Sequence, residues 1–314
     1  MILYLAPMHG VTSWILRNVL FLHAPGFDRA IAPFILAASA TRSKKNHFKD
    51  INPYQQASIP IEPQLLGSER DAFNESIKII TSLGYHEINL NMGCPYPMVA
   101  KKGRGSGLLP HPDIVARILD TLCSIEGIRV SVKVRLGLYE CDEIMRLMPV
   151  LNNHPLSRVI IHPRVGKQMY QGSVDLEGFA QASELCAHEV VYNGDIFTKA
   201  DFEAVSQRFP HIQSWMIGRG ALMDPFLPGE IKTGKRPENS LELLRAFHDD
   251  LFDSYKNVLS GPGHLMDKMK EVWGYLGTSF SLPGGPLGRA GPPDISRAKN
   301  LEEYCAAVNQ LFQR

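Results

Sequence analysis

Residues 86–95, His86-Glu87-Ile88-Asn89-Leu90-Asn91-Met92-Gly93-Cys94-Pro95, hold a short apolar run that ends in a Gly/Pro turn carrying a cysteine. A thiol at the tip of a strand, on a loop opening away from the core, is placed for chemistry rather than packing. Free cysteine is also among the most buried residue types, so Cys94 by itself decides little. What decides the reading is that the run around it is one of eight. Similar β-rich runs lie at Ile2–Met8, Arg29–Ile35, Ile59–Gly67, His86–Gly93, Arg129–Gly137, Ser157–Arg164, Glu189–Asp195 and Ser214–Leu222. Their starts are about 25 to 32 residues apart, with one longer step of about 43 after the Cys94 run. Most are continuously apolar, as expected of parallel strands covered on both faces.

Segments with helical spacing separate the runs. Residues 69–83 carry Phe73, Ile77, Ile80 and Leu83; residues 111–125 carry Ile114, Ile118, Leu119 and Leu122, with Pro112 and Asp113 in the first turn. Eight strand–helix alternations predict a (β/α)8 TIM barrel. A doubly wound sheet would want a GxGxxG motif after the first strand, and none is there. Beyond Leu222 the pattern is helical only, with Leu241, Leu244, Leu251 and Tyr255 on one helix, Leu265, Met269, Val272, Trp273 and Leu276 on a second, and a last helix from about Leu301 to Phe312. Residues 281–293 are mostly Gly and Pro and read as an irregular loop. The expected architecture is therefore an α/β barrel over 1–235 followed by a small all-helical domain over 236–314.

The chain has 314 residues, a formal charge of +1 and 44% hydrophobic residues, an ordinary globular composition with no global pull toward nucleic acid or membrane. Five dispersed cysteines without a CxxC pair argue against a disulfide framework and against zinc, and fit a reducing cytoplasm. The apolar start meets Pro7 too early for a signal peptide, and no run approaches membrane-spanning length. No metal and no obligate protein partner are inferred.

In a barrel of this kind the strand C-termini build the active site. Read in order, those ends present Pro7-Met8-His9, Gln64, Asn91 with Cys94, Lys133 with Arg135, His162 with Arg164 and Lys167, Asn193-Gly194-Asp195, and Gly218-Arg219-Gly220. Lys133 lies inside Val130-Ser131-Val132-Lys133-Val134, where burial of an ammonium is tolerable only if it meets an anion. Glycine turns after the last two strands, with one guanidinium, suit a phosphate. Together with an inward Lys and Gln they suggest a phosphorylated aromatic cofactor, with Lys133 facing the electron-rich end of a flavin. Basic residues cluster at Arg42, Lys44, Lys45 and Lys49, at Lys101, Lys102 and Arg104, and at Lys268, Lys270, Arg289, Arg297 and Lys299. The second cluster, set among three glycines beside Cys94, reads as a mobile lid for a polyanion.

The motifs Leu5-Ala6-Pro7-Met8-x-Gly10-Val11-Thr12, Gln64-Leu65-Leu66-Gly67, Asn89-Leu90-Asn91-Met92-Gly93-Cys94-Pro95, Val132-Lys133-Val134-Arg135-Leu136-Gly137, His162-x-Arg164, Asn193-Gly194-Asp195-Ile196 and Met216-Ile217-Gly218-Arg219-Gly220-Ala221-Leu222 resemble, in order and over the whole barrel, those of the dihydrouridine synthases. Met269-Lys270-Glu271-x-x-Gly274-Tyr275 is similar to the family's helical RNA-binding domain. The resemblance implies an FMN enzyme that reduces uridines in tRNA with NADPH or NADH. It implies that Pro7, Met8 and His9 line the flavin, that Gln64 and Lys133 bond its isoalloxazine edge, and that His162 lies near the ribityl or phosphate side. Asn193, Gly194, Asp195, Gly218 and Arg219 would hold the phosphate, Asn91 would orient the base, and Cys94 would protonate C5 of the uracil. Lys101, Lys102 and Arg104 would meet RNA. Three departures stand out: His9 where many members carry an acid or amide, His162-Pro163-Arg164-Val165 in place of the commoner His-Gly-Arg-Thr, and the Gly/Pro-rich loop 281–293 interrupting the helical domain. The residues leave open an FMN barrel acting on a free pyrimidine, as dihydroorotate dehydrogenases do, and a non-catalytic RNA-binding barrel.

Overall fold

The computed structural model describes residues 1–37, 45–55, 59–276 and 292–313. Ten strands form one sheet: β1 (Ile2–Leu5), β2 (Arg29–Ile31), β3 (Ile35–Leu36), β4 (Ile61–Glu62), β5 (Gln64–Leu66), β6 (Glu87–Met92), β7 (Arg129–Gly137), β8 (Leu156–Val165), β9 (Val190–Tyr192) and β10 (Ser214–Ile217). The order is β3-β5-β6-β7-β8-β9-β10-β1-β2-β4. Because β2 pairs with β4 and β3 pairs with β5, the two ends of that order are the same two staves met twice, and the sheet closes on itself. Every pairing is parallel, from Ile2↔Ser214 between β1 and β10 to Ile35↔Leu65 between β3 and β5. The second and third staves are each split in two, at Pro33 and Pro63, where a residue without an N–H cannot continue the ladder.

Helices cover the outside: α1 (Trp14–His23), α2 (Arg70–Ser82), α3 (Pro97–Ala100), α4 (Pro112–Cys123), α5 (Glu143–Asn152), α6 (Leu176–Leu185), α7 (Lys199–Arg208), α8 (Arg219–Met223) and α9 (Leu227–Thr233). The eighth stave is shorter than its sequence suggests. It stops at Ile217, and Gly218-Arg219-Gly220-Ala221-Leu222 turns into α8.

The period-two alternation of a strand sorts the side chains. Leu3 and Leu5 join the large outer core with the helices, whereas Tyr4 and Ala6 join Ile31, Ile160, Val191 and Met216 inside the barrel. At the closed end the interior is charged. Arg158 donates to Glu62 at 2.8 Å and to Glu87 at 2.6 Å, both pairs almost fully withdrawn from water. A buried pair of this kind costs about 3–5 kcal/mol to break by removing one partner.

Four more helices follow: α10 (Ser240–Lys256), α11 (Gly261–Leu276), α12 (Pro293–Arg297) and α13 (Leu301–Phe312). The sequence pattern anticipates three of them; α12, a five-residue piece opened by Pro293, carries too little periodicity to show. His248, Trp273 and Tyr304 knit the helices together, with the Trp273 indole donating to the Tyr304 hydroxyl at 2.9 Å. The α10 helix packs on α1, where the Ser13 and Tyr255 hydroxyls are 3.1 Å apart. Lys268 of α11 donates to the Gly10 carbonyl in the first barrel loop and to Glu271. No helix among the described residues is long and apolar enough to cross a membrane.

Candidate active site

Sheet register builds the site. Gln64, the first residue of β5, stands opposite Asn89; further up the wall Asn91 stands opposite Lys133, and Arg135 opposite His162. A chain of hydrogen bonds climbs this wall from the charged floor. Ser131 donates to Glu62 (2.5 Å), Asn89 to Ser131 (2.6 Å), Gln64 to Asn89 (2.7 Å) and Asn91 to Gln64 (2.8 Å). At the top, Asn91 Oδ1 accepts from the backbone N–H groups of Gly93 (3.1 Å) and Cys94 (2.9 Å). The cysteine loop is thus pinned to the barrel interior through side-chain amides.

Cys94 is half-buried and opens onto a 440 Å³ cavity also lined by Met8, Phe34, Asn91, Lys133 and His162. Burial raises its thiol pKa, against an opposing pull from the Tyr96 N–H, Arg135 and Lys133. The thiol therefore keeps its proton at neutral pH. Lys133 carries no hydrogen bond or ion pair to the described residues. Burial first, and Arg135 next, bring its ammonium down to about 7. A cation in that position awaits an anionic or electron-rich partner.

A second, 60 Å³ cavity adjoins the first and shares Pro7, Met8, Lys133, His162 and Tyr170 with it. Its far end is formed by Asn193, Gly194, Asp195, Gly218 and Arg219. Small residues are required there: a Cβ on Gly194 would meet the Tyr192 hydroxyl at 2.3 Å, and one on Gly220 would meet the Ile196 carbonyl at 1.9 Å. Burial, then the charges of Arg135, Lys133, Arg164 and Arg219, hold His162 well below its ordinary pKa, so the ring is neutral. Arg164 faces His162 Nε2 at 3.2 Å. Because a guanidinium only donates, Nε2 accepts and the ring proton sits on Nδ1.

Most of the expected residues converge on these two cavities, with differences in what they do. Pro7, Met8 and His9 line the mouth, His9 stacked on Phe34 at 4.5 Å. Gln64 is fully buried one layer below and borders neither cavity, since both ends of its amide serve the hydrogen-bond chain. The Asp195 carboxylate receives Arg219 at 2.6 Å and both terminal nitrogens of Arg164, and so orients two cations. Asn193 donates to the Met216 carbonyl at 2.9 Å, tying β9 to β10.

Lys101 and Lys102 are exposed, while Arg104 is largely covered and reaches Glu69 at 3.4 Å. Their loop is packed rather than lid-like. Ser106 donates both its N–H (3.0 Å) and its hydroxyl (2.9 Å) to the Cys94 carbonyl, and Gly105 adopts φ +57° where a Cβ would strike that carbonyl at 2.7 Å. Lys268 and Lys270 are spent internally, on Gly10 and on the Ala298 carbonyl, and are not free surface cations. Arg42, Lys44, Arg289 and most of the Gly/Pro-rich loop lie outside the described residues, as does the side chain of Lys45.

Sequence reasoning missed three contributors. Tyr170 lies between two guanidiniums, 5.3 Å from Arg135 and 4.7 Å from Arg219. Glu271 and Tyr275 come from α11 to line the Cys94 cavity. Nothing local marks Tyr170; Glu271 and Tyr275 stand in the quoted motif of the helical segment, but only the docking of α11 on the first loop brings them to the cavity. Among the described residues no three His, Cys, Asp or Glu side chains are grouped to hold a metal.

The arrangement suits a planar ring beside Cys94 and Lys133 with a phosphate toward Gly194, Gly218 and Arg219. The family model described as dihydrouridine synthase matches residues 4–272. The chain is 28% identical over 237 residues to the tRNA-dihydrouridine(16) synthase of Cupriavidus necator, covering 73% of each. It is 29% identical over 265 residues to a probable tRNA-dihydrouridine synthase of Staphylococcus aureus, covering 80% of this chain and 77% of the relative. Among solved structures it superposes on morphinone reductase with a TM-score of 0.53 at 10% identity, over 76% of this chain and 88% of that one, a likeness of fold.

Proposed function

The chain belongs to the dihydrouridine synthase family, and from that premise we propose that it reduces the C5–C6 double bond of uridine in tRNA, with FMN in the barrel mouth and NADPH or NADH as reductant. It is a flavin-dependent oxidoreductase of the TIM-barrel class. The observation that carries the assignment is Cys94 and Lys133, on adjacent strand ends, lining one cavity.

When bound, reduced FMN supplies the hydride that reaches C6 of the uracil. Cys94 Sγ–H gives the proton to C5, and its raised pKa keeps that proton available until the carbanion-like carbon develops. The resulting thiolate lies in the field of Arg135 and Lys133 and regains its proton from water. Lys133 supports the electron-rich edge of the flavin, and its own protonation rises once that partner is present. Neutral His162, which borders both cavities, would hold the ribityl or phosphate side of the cofactor. Arg219, with the backbone at Gly194 and Gly218, meets the single phosphate, which is why FMN rather than FAD is proposed. Asn91 holds the Cys94 loop while bordering the cavity the base enters. Lys101 and Lys102 are assigned to RNA, with Arg104 held back on Glu69, residues 1–235 to the catalytic barrel, 236–314 to a helical RNA-binding domain, and the protein to the cytoplasm.

Cys94→Ala tests the reading. It should retain flavin and the flavin's reduction by NADPH yet lose about 10²–10⁴-fold in dihydrouridine formation on tRNA. Cys94→Ser should fall near Ala, because a hydroxyl is a far weaker acid. Parental product yield from Cys94→Ala would end the mechanism. Mass-spectrometric mapping of the product names the uridine, position 16 being the first to inspect, and turnover on free uridine in preference to tRNA would favour the small-molecule reading.

A further inference from the structure

Beside the Cys94 cavity, across α3, lies a separate pocket of 140 Å³. Its walls are Pro95, Pro97 and Leu138, and its rim carries Tyr139, Lys101 and Lys167. Among the described residues no acidic one lines it. The Lys167 ammonium sits 5.2 Å from the Tyr139 ring centroid, so an aromatic face and a cation are presented at one place. Tyr139 is 56% exposed, leaving ring surface open to a ligand. The platform is not a loose loop: Gly166 N–H donates to Gly137 (2.8 Å) and Lys167 N–H to Leu138 (2.9 Å), extending the β7–β8 ladder past the strand ends. Pro95 borders both pockets, placing this one a single turn of chain from the thiol.

Resting on the tRNA reading above, we propose that this pocket takes the nucleotide next to the target uridine, its base against Tyr139 and its phosphate on Lys167. The size is right for one ring system, comparable with the about 150 Å³ cavity that admits a benzene-sized molecule. The chemistry is right for a nucleic acid strand, since aromatic stacking accepts any base and a rim of lysines meets the phosphodiester. A uridine drawn into the Cys94 cavity must leave its stacked neighbour, and the pocket offers that neighbour a replacement surface. Tyr139 and Lys167 thereby act as positioning residues for the reaction, touching the strand but not the reacting atoms.

Tyr139→Ala should raise KM for tRNA, and weaken tRNA binding measured without turnover, by about 5- to 150-fold, the range for loss of one stacked base. Flavin content and kcat at saturating tRNA should stay near parental. Tyr139→Phe should bind as the parent does, because the ring and not the hydroxyl stacks. Lys167→Ala should lower the salt dependence of binding by about 0.7 in log–log slope, one single-strand phosphate. Unchanged affinity in Tyr139→Ala, or Tyr139→Phe as weak as Ala, overturns the proposal. If the parent forms no dihydrouridine on any tRNA, the functional reading has failed, and the binding series still decides the pocket on its own.

Discussion

Lys133 shows how one residue trades stability for function. In the folded chain its ammonium is held at about 7, against 10.5 unperturbed, by burial and by Arg135. Between those two values the unfolded chain binds a proton that the folded chain does not, so stability rises with pH across that window. Below about pH 7 both states are protonated, and the folded state bears the full cost of a buried cation. Lys133→Met should therefore melt higher than the parent in flavin-free form near pH 6, with the gain shrinking as pH climbs from 7 toward 10.5. The same substitution should empty the site of flavin. Melting curves of the two apoproteins across pH, with flavin occupancy after reconstitution, check both halves. A Met variant that melts lower near pH 6 would show that Lys133 is not an uncompensated charge.

At the scale of an element, the loop from Cys94 to Leu108 is the part most tightly specified. Its tail is buried, Ser106 bonds twice to the Cys94 carbonyl, and Gly105 is left-handed in direct contact with it. Gly105→Ala forces a Cβ to within 2.7 Å of the Cys94 oxygen in a conformation that L residues rarely adopt. It should cost about 1–3 kcal/mol of strain and displace the thiol. The expected signature is a reduced kcat on tRNA with flavin binding preserved, read by kinetics and the visible spectrum of the same preparation. Equal kcat would mean that the loop does not position the acid. The hydrogen-bond chain from Glu62 through Ser131, Asn89, Gln64 and Asn91 serves the same loop from the other side.

Across the whole molecule, charge is nearly balanced, so RNA must be met by local groups. Lys101 and Lys102 are exposed, but Arg104 is covered and paired with Glu69. Replacing the two lysines by Ala should weaken tRNA binding and lower its salt slope by about 1.4–1.8, from 0.7–0.9 per phosphate. Adding Arg104→Ala should change the slope little further, and flavin content should not move. Filter binding across a salt series separates these outcomes, and a parental slope in the double variant would remove both lysines from the interface. The other whole-molecule link is Lys268, which ties α11 to the first barrel loop and brings Glu271 and Tyr275 over the Cys94 cavity.

The amino-acid sequence alone determined the barrel, the strand ends that make its mouth, and the cysteine and lysine to which the chemistry is assigned in the proposal above. Those features are local or periodic: continuous apolar runs, glycine turns, and a charge where a core residue belongs. The same reasoning about buried charge applies to Glu62, Glu87 and Arg158, which also interrupt apolar runs, but their pairing depends on which strands the closed barrel sets face to face. Tertiary structure alone decided that Gln64 and Asn91 brace the Cys94 loop, that Asp195 orients two arginines, and that Lys268 and Lys270 are internal ties. It also decided that Tyr139 and Lys167, 28 residues apart in the chain, share one rim. A side chain's type can be read in one dimension, whereas its partner is set by register and docking, which join residues that no sequence spacing connects.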